Sequence, residues 1–440
     1  MTDLSREPLW WVPGKGLTLP PRWARKVIEL RRMVMLAVPI GIIAGLAVSA
    51  LEWLCVTAMW ENLSRLPLVL RLAAPVVGLV ASGWVLHRLQ VRGIGMLNEV
   101  VVQYHQPAAK LMPGRDALKL GACIATVGMG ASAGLGGPSQ WLGASIALYF
   151  RQAVSGIRYF RGLVPVHALL IGAAAGVGAY FRAPLAGTLL AMETPFSKDL
   201  DGTALVPASV AALLAHWVHG LFIGSSPYLP FPTSAAISPR SLGAAMVVGI
   251  VAGLLSRRFQ VVLAIIRRIT ERMDWWARGL LGGLVTAATA WLSWHWFGDT
   301  WTLQGGTAVA TAVFAGKFLG LAAGALLILK LVAVWATFGT TGVAGVLVVT
   351  LSVGSLLGAT LHPMLPVLSP AQICSVAVCA YLAANYNAPL TAIALSVEWG
   401  GPGLLMLAWI AILPAAWIGE GLANTPAKTG RRHPHRPGHH

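Results

Sequence analysis

Two glutamates, each following a short Ala-Pro-Leu segment, are the residues of this chain whose type and spacing could do chemistry. Ala-Pro-Leu at residues 183–185 is followed by Glu193, and the same three residues at 388–390 are followed by Glu398. The separation is 205 residues for both the segments and the glutamates (388 − 183 and 398 − 193). A proline-interrupted polar element at corresponding positions of two halves indicates the central site of a membrane transport protein.

A glycine-rich turn precedes the first of these elements. Residues 134–138 read Gly-Leu-Gly-Gly-Pro, and a shift of 205 places Gly134 and Gly137 on Gly339 and Gly342. We therefore expect the two glycine turns to be equivalent in a duplicated fold. A helix that starts at such a turn presents unpaired backbone N–H groups and the positive end of its dipole, which suits an anion.

The composition is typical of a protein buried in a bilayer. Of its 440 residues, 56% are hydrophobic and 11% are charged, whereas soluble domains carry roughly 25% charged residues. Several apolar segments, such as 118–129 and 183–192, are shorter than the ~20 residues that cross a bilayer, so their ends must be buried in protein or face a cavity. The sequence predicts an all-α polytopic membrane protein, an inverted repeat of many tilted, partly broken helices.

The net charge of +17 could reflect nucleic-acid binding or membrane topology. Lys and Arg cluster beside apolar segments at 22–32, 151–161, 257–278 and 428–436, as the positive-inside rule describes for cytoplasmic segments. We therefore expect no nucleic-acid partner, and a multi-pass protein of the cell inner (plasma) membrane with both termini cytoplasmic. The expected organisation is a cytoplasmic arm at 1–32, a transmembrane domain at 33–424 with halves near 33–225 and 240–424, and a basic cytoplasmic tail at 425–440.

Several segments resemble motifs of the CLC family of chloride channels and proton/chloride antiporters. Residues 134–138 are similar to its GREGP element, 172–187 to its GAAAG and NAPLAG segment, and 383–391 to its second NAPLT segment. Weaker matches place the family's GSGIP at 91–95 and its GIFAP at 345–349. The resemblance implies a CLC-type inverted repeat that forms a homodimer in the lipid bilayer, each subunit holding its own anion pore. We expect no cofactor and no bound metal.

The resemblance also implies where an anion would be held, because the family uses helix starts and backbone N–H groups near the midplane of the membrane. The candidate anion-binding residues are Arg92, Gly93, Ile94, Gly136, Gly137, Val346 and Leu347. Arg92 stands where the family has serine, and it could attract an anion, fill the site or extend to the cytoplasmic rim. Backbone N–H groups do not depend on the side chain, so Val346 and Leu347 can still donate.

Two departures from the family pattern bear on mechanism. The glutamate of GREGP, which gates the pore and accepts a proton, falls on Gly136, and the inner proton-relay glutamate falls on Thr194. Without an ionisable group at either position, proton coupling has no obvious carrier. We expect passive, channel-like transport of chloride or a similar small anion, with fluoride, nitrate and bicarbonate left open. The alternatives are an antiporter with a substitute proton route and a non-conducting, receptor-like or assembly subunit.

Other charged and aromatic residues have structural interpretations beside functional ones. Glu193 and Glu398 are expected to be structural acidic residues that partner backbone N–H groups or a cation. Lys330 is expected to snorkel or pack rather than to bind a ligand. Phe181 and Tyr386, which the repeat pairs, could line the pathway or pack in the core.

One pattern resembles that of an enzyme. Residues 130–134 read Gly-Ala-Ser-Ala-Gly and fit the G-x-S-x-G signature of a nucleophilic serine. That signature requires a strand, a sharp turn and a helix, whereas this segment lies in an apolar run of small residues. We therefore expect that the protein is not an enzyme.

Overall fold

A computed structural model describes residues 10–12, 16–18, 21–91, 96–105, 112–195 and 202–419. A short antiparallel hairpin, β1 (Trp10–Val12) and β2 (Gly16–Thr18), precedes the helices. The remaining regular elements of the described residues are helices, so the predicted all-α membrane architecture is confirmed.

The first half contains nine α-helices, and a π-helix at Trp53–Glu61 joins the first two. α1 begins at Pro21 and runs without a break into the first apolar segment. The helices are α1 (Pro21–Glu52), α2 (Asn62–Ser64), α3 (Leu68–Leu89), α4 (Met96–His105), α5 (Pro113–Gly128), α6 (Gly136–Val154), α7 (Pro165–Tyr180), α8 (Pro184–Glu193) and α9 (Leu205–Phe222).

The second half follows after a connection without regular structure. Its helices are α10 (Pro239–Thr270), α11 (Trp275–Phe297), α12 (Thr307–Phe314), α13 (Leu321–Gly339), α14 (Leu347–Leu361), α15 (Pro370–Tyr386), α16 (Pro389–Gly400) and α17 (Pro402–Gly419).

Helix lengths separate full membrane spans from half spans. Seven helical segments of the described residues are long and apolar enough to cross a membrane. By contrast, α8 has 10 residues and α16 has 12, which at 1.5 Å per residue is about half of a ~30 Å hydrocarbon core. The expectation of broken, half-length helices is therefore confirmed for this pair.

The duplication is visible in where equivalent helices begin. α7 and α15 start 205 residues apart (370 − 165), as do α8 and α16 (389 − 184), and all four begin at a proline. Proline suits the first helical position, because its fixed φ is already helical and its missing N–H would have no partner there.

The glycine turns of the two halves are separated by a different number of residues, and this corrects the pairing of glycines expected from the sequence. α6 and α14 start 211 residues apart (347 − 136), because the stretch from one helix start to the next is six residues shorter in the second half. Gly339 is the last residue of α13, so it corresponds to Gly128 at the end of α5. The partner of Gly134 is therefore Gly345, and pairing Gly134 with Gly339 was wrong.

Glycine allows the helices behind these turns to touch through their backbones. A Cβ on Gly143 of α6 would lie 2.1 Å from the Gly172 carbonyl oxygen of α7, and a Cβ on Gly172 would lie 2.1 Å from the Gly143 oxygen. No other residue fits at this distance. The same close contact recurs between α14 and α15, where a Cβ on Gly358 would lie 2.6 Å from Cys374 Cα.

Candidate functional site

The site is built where the two glycine turns meet. Gly134 and Gly345 exchange both backbone hydrogen bonds, with N···O distances of 3.1 and 2.9 Å. The starts of α6 and α14 follow two residues later on each side, at Gly136 and Leu347. The first backbone N–H groups of both helices thus lie close together in the middle of the molecule.

A second pair of hydrogen bonds repeats this symmetry with the same shift of 211. The Ser132 N–H donates to Thr337 Oγ1 at 3.2 Å, and the Val343 N–H donates to Thr126 Oγ1 at 3.2 Å. Each threonine lies near the end of one helix and holds the turn of the other half. Each turn is therefore held by the other half as well as by the end of its own preceding helix.

Four of the expected anion-binding residues come together here. Gly136 and Gly137 open α6, Val346 is the N-cap of α14, and Leu347 is its first residue. A Cβ on Gly345 would lie only 2.3 Å from the Gly137 N, so the turns can approach only as glycine. The other three, Arg92, Gly93 and Ile94, lie outside the described residues.

Gly136 faces apolar side chains. A Cβ at this position would lie 3.0 Å from the Phe181 ring and 3.1 Å from Leu347 Cβ. Beside it is a cavity with an accessible volume of about 10 Å³, near the lower limit for one water molecule. It is lined by Val177, Phe181, Ala186, Gly187, Leu190, Leu347, Leu351, Leu382, Thr391 and Leu395. No lining residue is ionisable, and only Thr391 carries a polar side chain.

Charged side chains gather on the turn from α7 to α8, next to Phe181. Arg182 has a positive φ of 53°, and its repeat counterpart Asn387 has a φ of 52°. The guanidinium lies 3.6 Å from Glu52 Oε1 and donates to the Ser226 carbonyl oxygen at 3.1 Å. The other Glu52 oxygen lies 2.9 Å from His219 Nε2. We call Glu52, Arg182 and His219 the outer charged cluster.

A chain of hydroxyl groups runs beside this cluster. The hydroxyls of Tyr180 and Tyr228 are 3.1 Å apart, and that of Tyr228 is 2.8 Å from Thr307 Oγ1 at the start of α12. Polar groups therefore lead from beside the outer charged cluster to the start of α12.

Glu193 and Glu398 each accept hydrogen bonds from the helix of the opposite half. The Glu193 carboxylate accepts from the N–H groups of Leu390 and Thr391, at 2.9 and 2.8 Å. The Glu398 carboxylate accepts from the N–H groups of Leu185 and Ala186, at 2.7 and 2.8 Å. Each glutamate thus occupies the positive end of the neighbouring half-length helix. Since each reaches the start of the other helix, α8 and α16 lie antiparallel.

Two further residues have positions that the sequence left open. Thr194 is buried, and its hydroxyl donates to the Leu190 carbonyl oxygen of its own helix. Lys330 lies in the middle of α13 with 1% of its surface exposed, so it does not snorkel, and that part of the expectation was wrong. Its Nζ instead donates to three carbonyl oxygens.

A polar network lies behind the start of α14. The Asn385 side chain donates to Thr350 Oγ1 at 2.9 Å and accepts from Gln260 Nε2 at 2.8 Å. Thr350 Oγ1 donates to the Val346 carbonyl oxygen at 3.1 Å and also bonds the Tyr386 side chain. Tyr386 therefore contacts the second helix start through a hydroxyl, whereas Phe181 contacts the first through an apolar ring.

Ser132 does not have the surroundings of a nucleophilic serine. It lies in the turn between α5 and α6, so its neighbours along the chain are two helices rather than a strand and a helix. The G-x-S-x-G match is explained by the glycine turn that brings the two halves together.

Comparison with known proteins identifies the family. A family model described as voltage gated chloride channel matches residues 77–420, which is most of the chain. The chain belongs to this chloride channel family, the CLC proteins. The motif resemblance is thereby confirmed, and with it a multi-pass membrane protein of a family that transports anions.

Individual relatives are distant. A putative chloride channel protein ClcB-like of Ralstonia nicotianae is 27% identical over 62% of this chain and 64% of its own length. A chloride/fluoride channel protein of Pseudomonas syringae pv. tomato is 25% identical over 78% of this chain and 73% of its own length. The chain thus covers slightly less than two thirds of the first relative.

Solved structures share the fold. A CLC-type fluoride/proton antiporter superposes with a TM-score of 0.74 at 22% identity, covering 89% of this chain and 96% of its own. A slow cyanobacterial Cl⁻/H⁺ antiporter superposes with a TM-score of 0.76 at 21% identity, covering 94% of this chain and 97% of its own. At these identities the likeness establishes the CLC architecture and nothing finer.

Proposed function

We propose that this CLC protein transports chloride or a similar small anion passively, without coupling to protons. The observation that carries the proposal is the start of α6, where Gly136 offers no side chain and lies against the Phe181 ring. A group that accepts a proton on the pathway must be ionisable. Neither Gly136 nor the side chains that line the adjoining cavity can do so.

Thr194, which stands where the family has its inner proton-relay glutamate, also supports transport without proton coupling. Its hydroxyl is engaged with the Leu190 carbonyl oxygen, and Glu193 beside it is held by Leu390 and Thr391. Both oxygens of this carboxylate are thus engaged at the start of α16. Glu193 is therefore suited to holding α16 and poorly suited to shuttling a proton.

The substrate class follows from the helix starts and the relatives. Backbone N–H groups select anions weakly by themselves, so the first turns of α6 and α14 fit chloride and fluoride alike. Both ions are named for the relatives, in one case together. We propose chloride first and fluoride as the direct competitor.

The decisive experiment measures anion and proton movement together in liposomes that contain the purified protein. With an outward chloride gradient and no proton gradient, we expect chloride efflux without proton uptake, because no ionisable group lies at the helix start. Proton uptake driven by chloride would contradict uncoupled transport. A complete absence of anion flux from folded protein would favour the non-conducting, receptor-like or assembly subunit instead.

Gly136→Glu tests whether this position lies on the pathway. The carboxylate would enter the space now held against Phe181, so we expect slower flux that recovers as acid neutralises the new group. Gly136→Gln has nearly the same size and no ionisable proton, so its flux should be slow at every pH. Equal pH profiles for the two variants would remove Gly136 from the pathway.

A second candidate function, proton-coupled exchange by a substitute route, is favoured by one observation. The outer charged cluster contains a buried carboxylate and a histidine 2.9 Å apart, next to the hydroxyl chain of Tyr180, Tyr228 and Thr307. If this cluster carried protons, wild-type liposomes would show chloride-driven proton uptake. Glu52→Gln would then abolish proton uptake while chloride flux remained.

The membrane, the topology and the oligomeric state are also part of the proposal. We expect a homodimer in the cell inner membrane, with both termini cytoplasmic and the transmembrane domain at 33–424 between a basic arm and a basic tail. The tail lies outside the described residues. The first half's Arg31 bonds Tyr159 in the basic 151–161 loop at 3.1 Å, which supports placing these two segments on the same side.

A further inference from the structure

Lys330 is a buried lysine that the proposed mechanism leaves unused. It lies in the middle of α13, a helix apolar enough to cross a membrane, and 1% of its surface is exposed. An ionisable residue at such a place is costly and usually functional. Its three donors are satisfied by backbone carbonyl oxygens, those of Thr302 at 2.9 Å, Leu303 at 3.5 Å and Gln304 at 2.6 Å.

These partners satisfy hydrogen bonds but do not cancel the charge. Within the described part of the chain, no carboxylate lies within the 4.0 Å that defines an ion pair with Lys330. The helix shift of 211 places Lys119 of α5 at the equivalent position (330 − 119). Lys119 is neutralised, because its Nζ lies 2.7 Å from Glu99 Oε2 and 3.7 Å from Asp116 Oδ1.

The unneutralised charge lies behind the second helix start. A Cβ at Gly306 would be 3.0 Å from Lys330 Cε and 2.7 Å from Ser352 Oγ, so these side chains are neighbours. Ser352 lies five residues beyond Leu347, or about 8 Å along α14 at 1.5 Å per residue. The ammonium group is therefore roughly 10 Å from the first turn of α14.

The segment that holds Lys330 also touches the first half. The Gln304 N–H donates to the Gly130 carbonyl oxygen at 3.2 Å, and Gln304 Nε2 donates to the Val127 carbonyl oxygen at 2.7 Å. The lysine is thus held by a segment that is bonded to the end of α5 and lies against α14. Its charge cannot move away when an anion arrives.

We propose that Lys330, in its protonated form, determines the anion affinity of the pathway through its field, without touching the anion. At ~10 Å and an effective dielectric constant near 20, the attraction raises the anion's binding constant roughly tenfold. Salt screens this attraction only weakly, because the group is buried. The inference rests on the proposed anion pathway and adds the residue that sets its affinity.

Three substitutions at this position separate charge from hydrogen bonding. Lys330→Gln keeps a donor for the carbonyl oxygens but removes the charge, Lys330→Met removes both, and Lys330→Arg keeps both. We expect the chloride concentration for half-maximal flux, measured at constant ionic strength with gluconate, to rise about tenfold in the Gln and Met variants. The Arg variant should stay within about threefold of wild type, because the field of the charge remains.

A matched control removes the equivalent charge without changing net charge. The double variant Lys119→Met/Glu99→Gln deletes the neutral pair of the first half, so its half-maximal chloride concentration should stay within about twofold of wild type. If the Gln and Arg variants had the half-maximal chloride concentration of wild type and only the Met variant differed, Lys330 would be a structural residue. The proposal would then be overturned. If Met failed to fold, the comparison of Gln with Arg would still decide.

The same variants distinguish this inference from the proposed function. Calorimetric titration of chloride into purified wild type and Lys330→Gln measures binding without transport. A tenfold loss of binding in a protein that shows no flux would support Lys330 and contradict passive transport. Normal chloride flux together with unchanged chloride affinity in Lys330→Gln would support passive transport and contradict the role proposed for Lys330.

Discussion

Glu52 is a carboxylate buried at the end of α1, and its neighbours explain how it is accommodated there. Its side chain is 11% exposed and meets Arg182, at 14%, and His219, at 0%. A buried charge is tolerated only when it is paired and hydrogen-bonded. The outer charged cluster therefore joins α1, α9 and the turn from α7 to α8.

Removing this carboxylate should destabilise the fold. In Glu52→Gln the Arg182 guanidinium loses its counter-charge while it remains mostly buried. Breaking a buried pair in this way costs about 3–5 kcal/mol, and the partial exposure of both side chains lowers the expected loss to about 2–3 kcal/mol. Thermal unfolding of the detergent-purified protein would measure the difference.

The Arg71–Asp299 pair offers a matched control for this measurement. Its atoms are 3.4 Å apart, and the arginine is buried to a similar extent as Arg182, at 18% exposed, but the Asp299 carboxylate is 53% exposed. Exposed pairs contribute about 0–1 kcal/mol, so Asp299→Asn should leave thermal unfolding nearly unchanged. Similar losses for the two variants would show that the buried cluster is not held by its charge.

At the scale of elements, the half-length helices α8 and α16 stabilise each other through their ends. Each carries a glutamate near its last turn, and that glutamate accepts two N–H groups at the start of the other. Such N–H groups have no partner within their own helix, and lipid offers none. The repeated glutamates are therefore what allows two helices of half the bilayer thickness to exist side by side.

The two caps are not equal, and this predicts unequal effects of substitution. Glu193 receives a third hydrogen bond, from Thr391 Oγ1 at 2.5 Å, whereas Ala186 at the equivalent place has no hydroxyl. Since a bond to a charged group contributes about 1.5–3 kcal/mol, Glu193→Gln should lower the free energy of unfolding by at least 1 kcal/mol more than Glu398→Gln. Denaturation of the purified variants would measure both values.

The threonine supplies the control for this comparison. In a Thr391→Ala background, the two glutamates have equivalent partners, so the difference between Glu193→Gln and Glu398→Gln should shrink to within about 0.5 kcal/mol. A difference that persists without the hydroxyl would mean that another feature of the second half distinguishes the caps.

The half-length helices could be predicted from the sequence, whereas the pairing of the glycine turns could not. The duplicated Ala-Pro-Leu and glutamate were visible as a fixed spacing, and this spacing led to the half-length helices and the family. The glycine turns were misaligned, because the second half is six residues shorter between the starts of α14 and α15. A single shift cannot describe two halves that differ in loop and helix length.

No repeated spacing in the sequence pointed to the outer charged cluster. Glu52 and His219 are 167 residues apart, and neither belongs to a repeated motif. Arg182 was visible within a recognised segment, but its partner depends on how α1 and α9 pack against the turn. Lys330 was also visible, yet its carbonyl partners lie in an irregular segment whose path no periodicity predicts.

At the scale of the whole molecule, one apolar surface includes the half-length helices α8 and α16. α9, α8, α16 and α17 pack in that order, and α9 exposes Leu213, Trp217 and Leu221 at intervals of four residues. α17 exposes Leu413 and Trp417 in the same way. Leu185 and Leu390, at the starts of the half-length helices, are exposed, and we expect a helix end within the bilayer to be covered by protein. A second copy would present the same surface, as a two-fold contact requires.

This argument predicts a dimer that depends on α9. Single-molecule photobleaching of labelled protein in dilute liposomes should show mainly two bleaching steps for wild type. Leu213→Trp enlarges a side chain that is 54% exposed on this face, so it should shift the distribution toward one step because the two copies can no longer pack closely. Leu284→Trp, 53% exposed on α11, lies on a helix that packs against α3 and α13, and it should behave as wild type. Mainly single steps for wild type would mean that lipid, or a different protein, covers this surface.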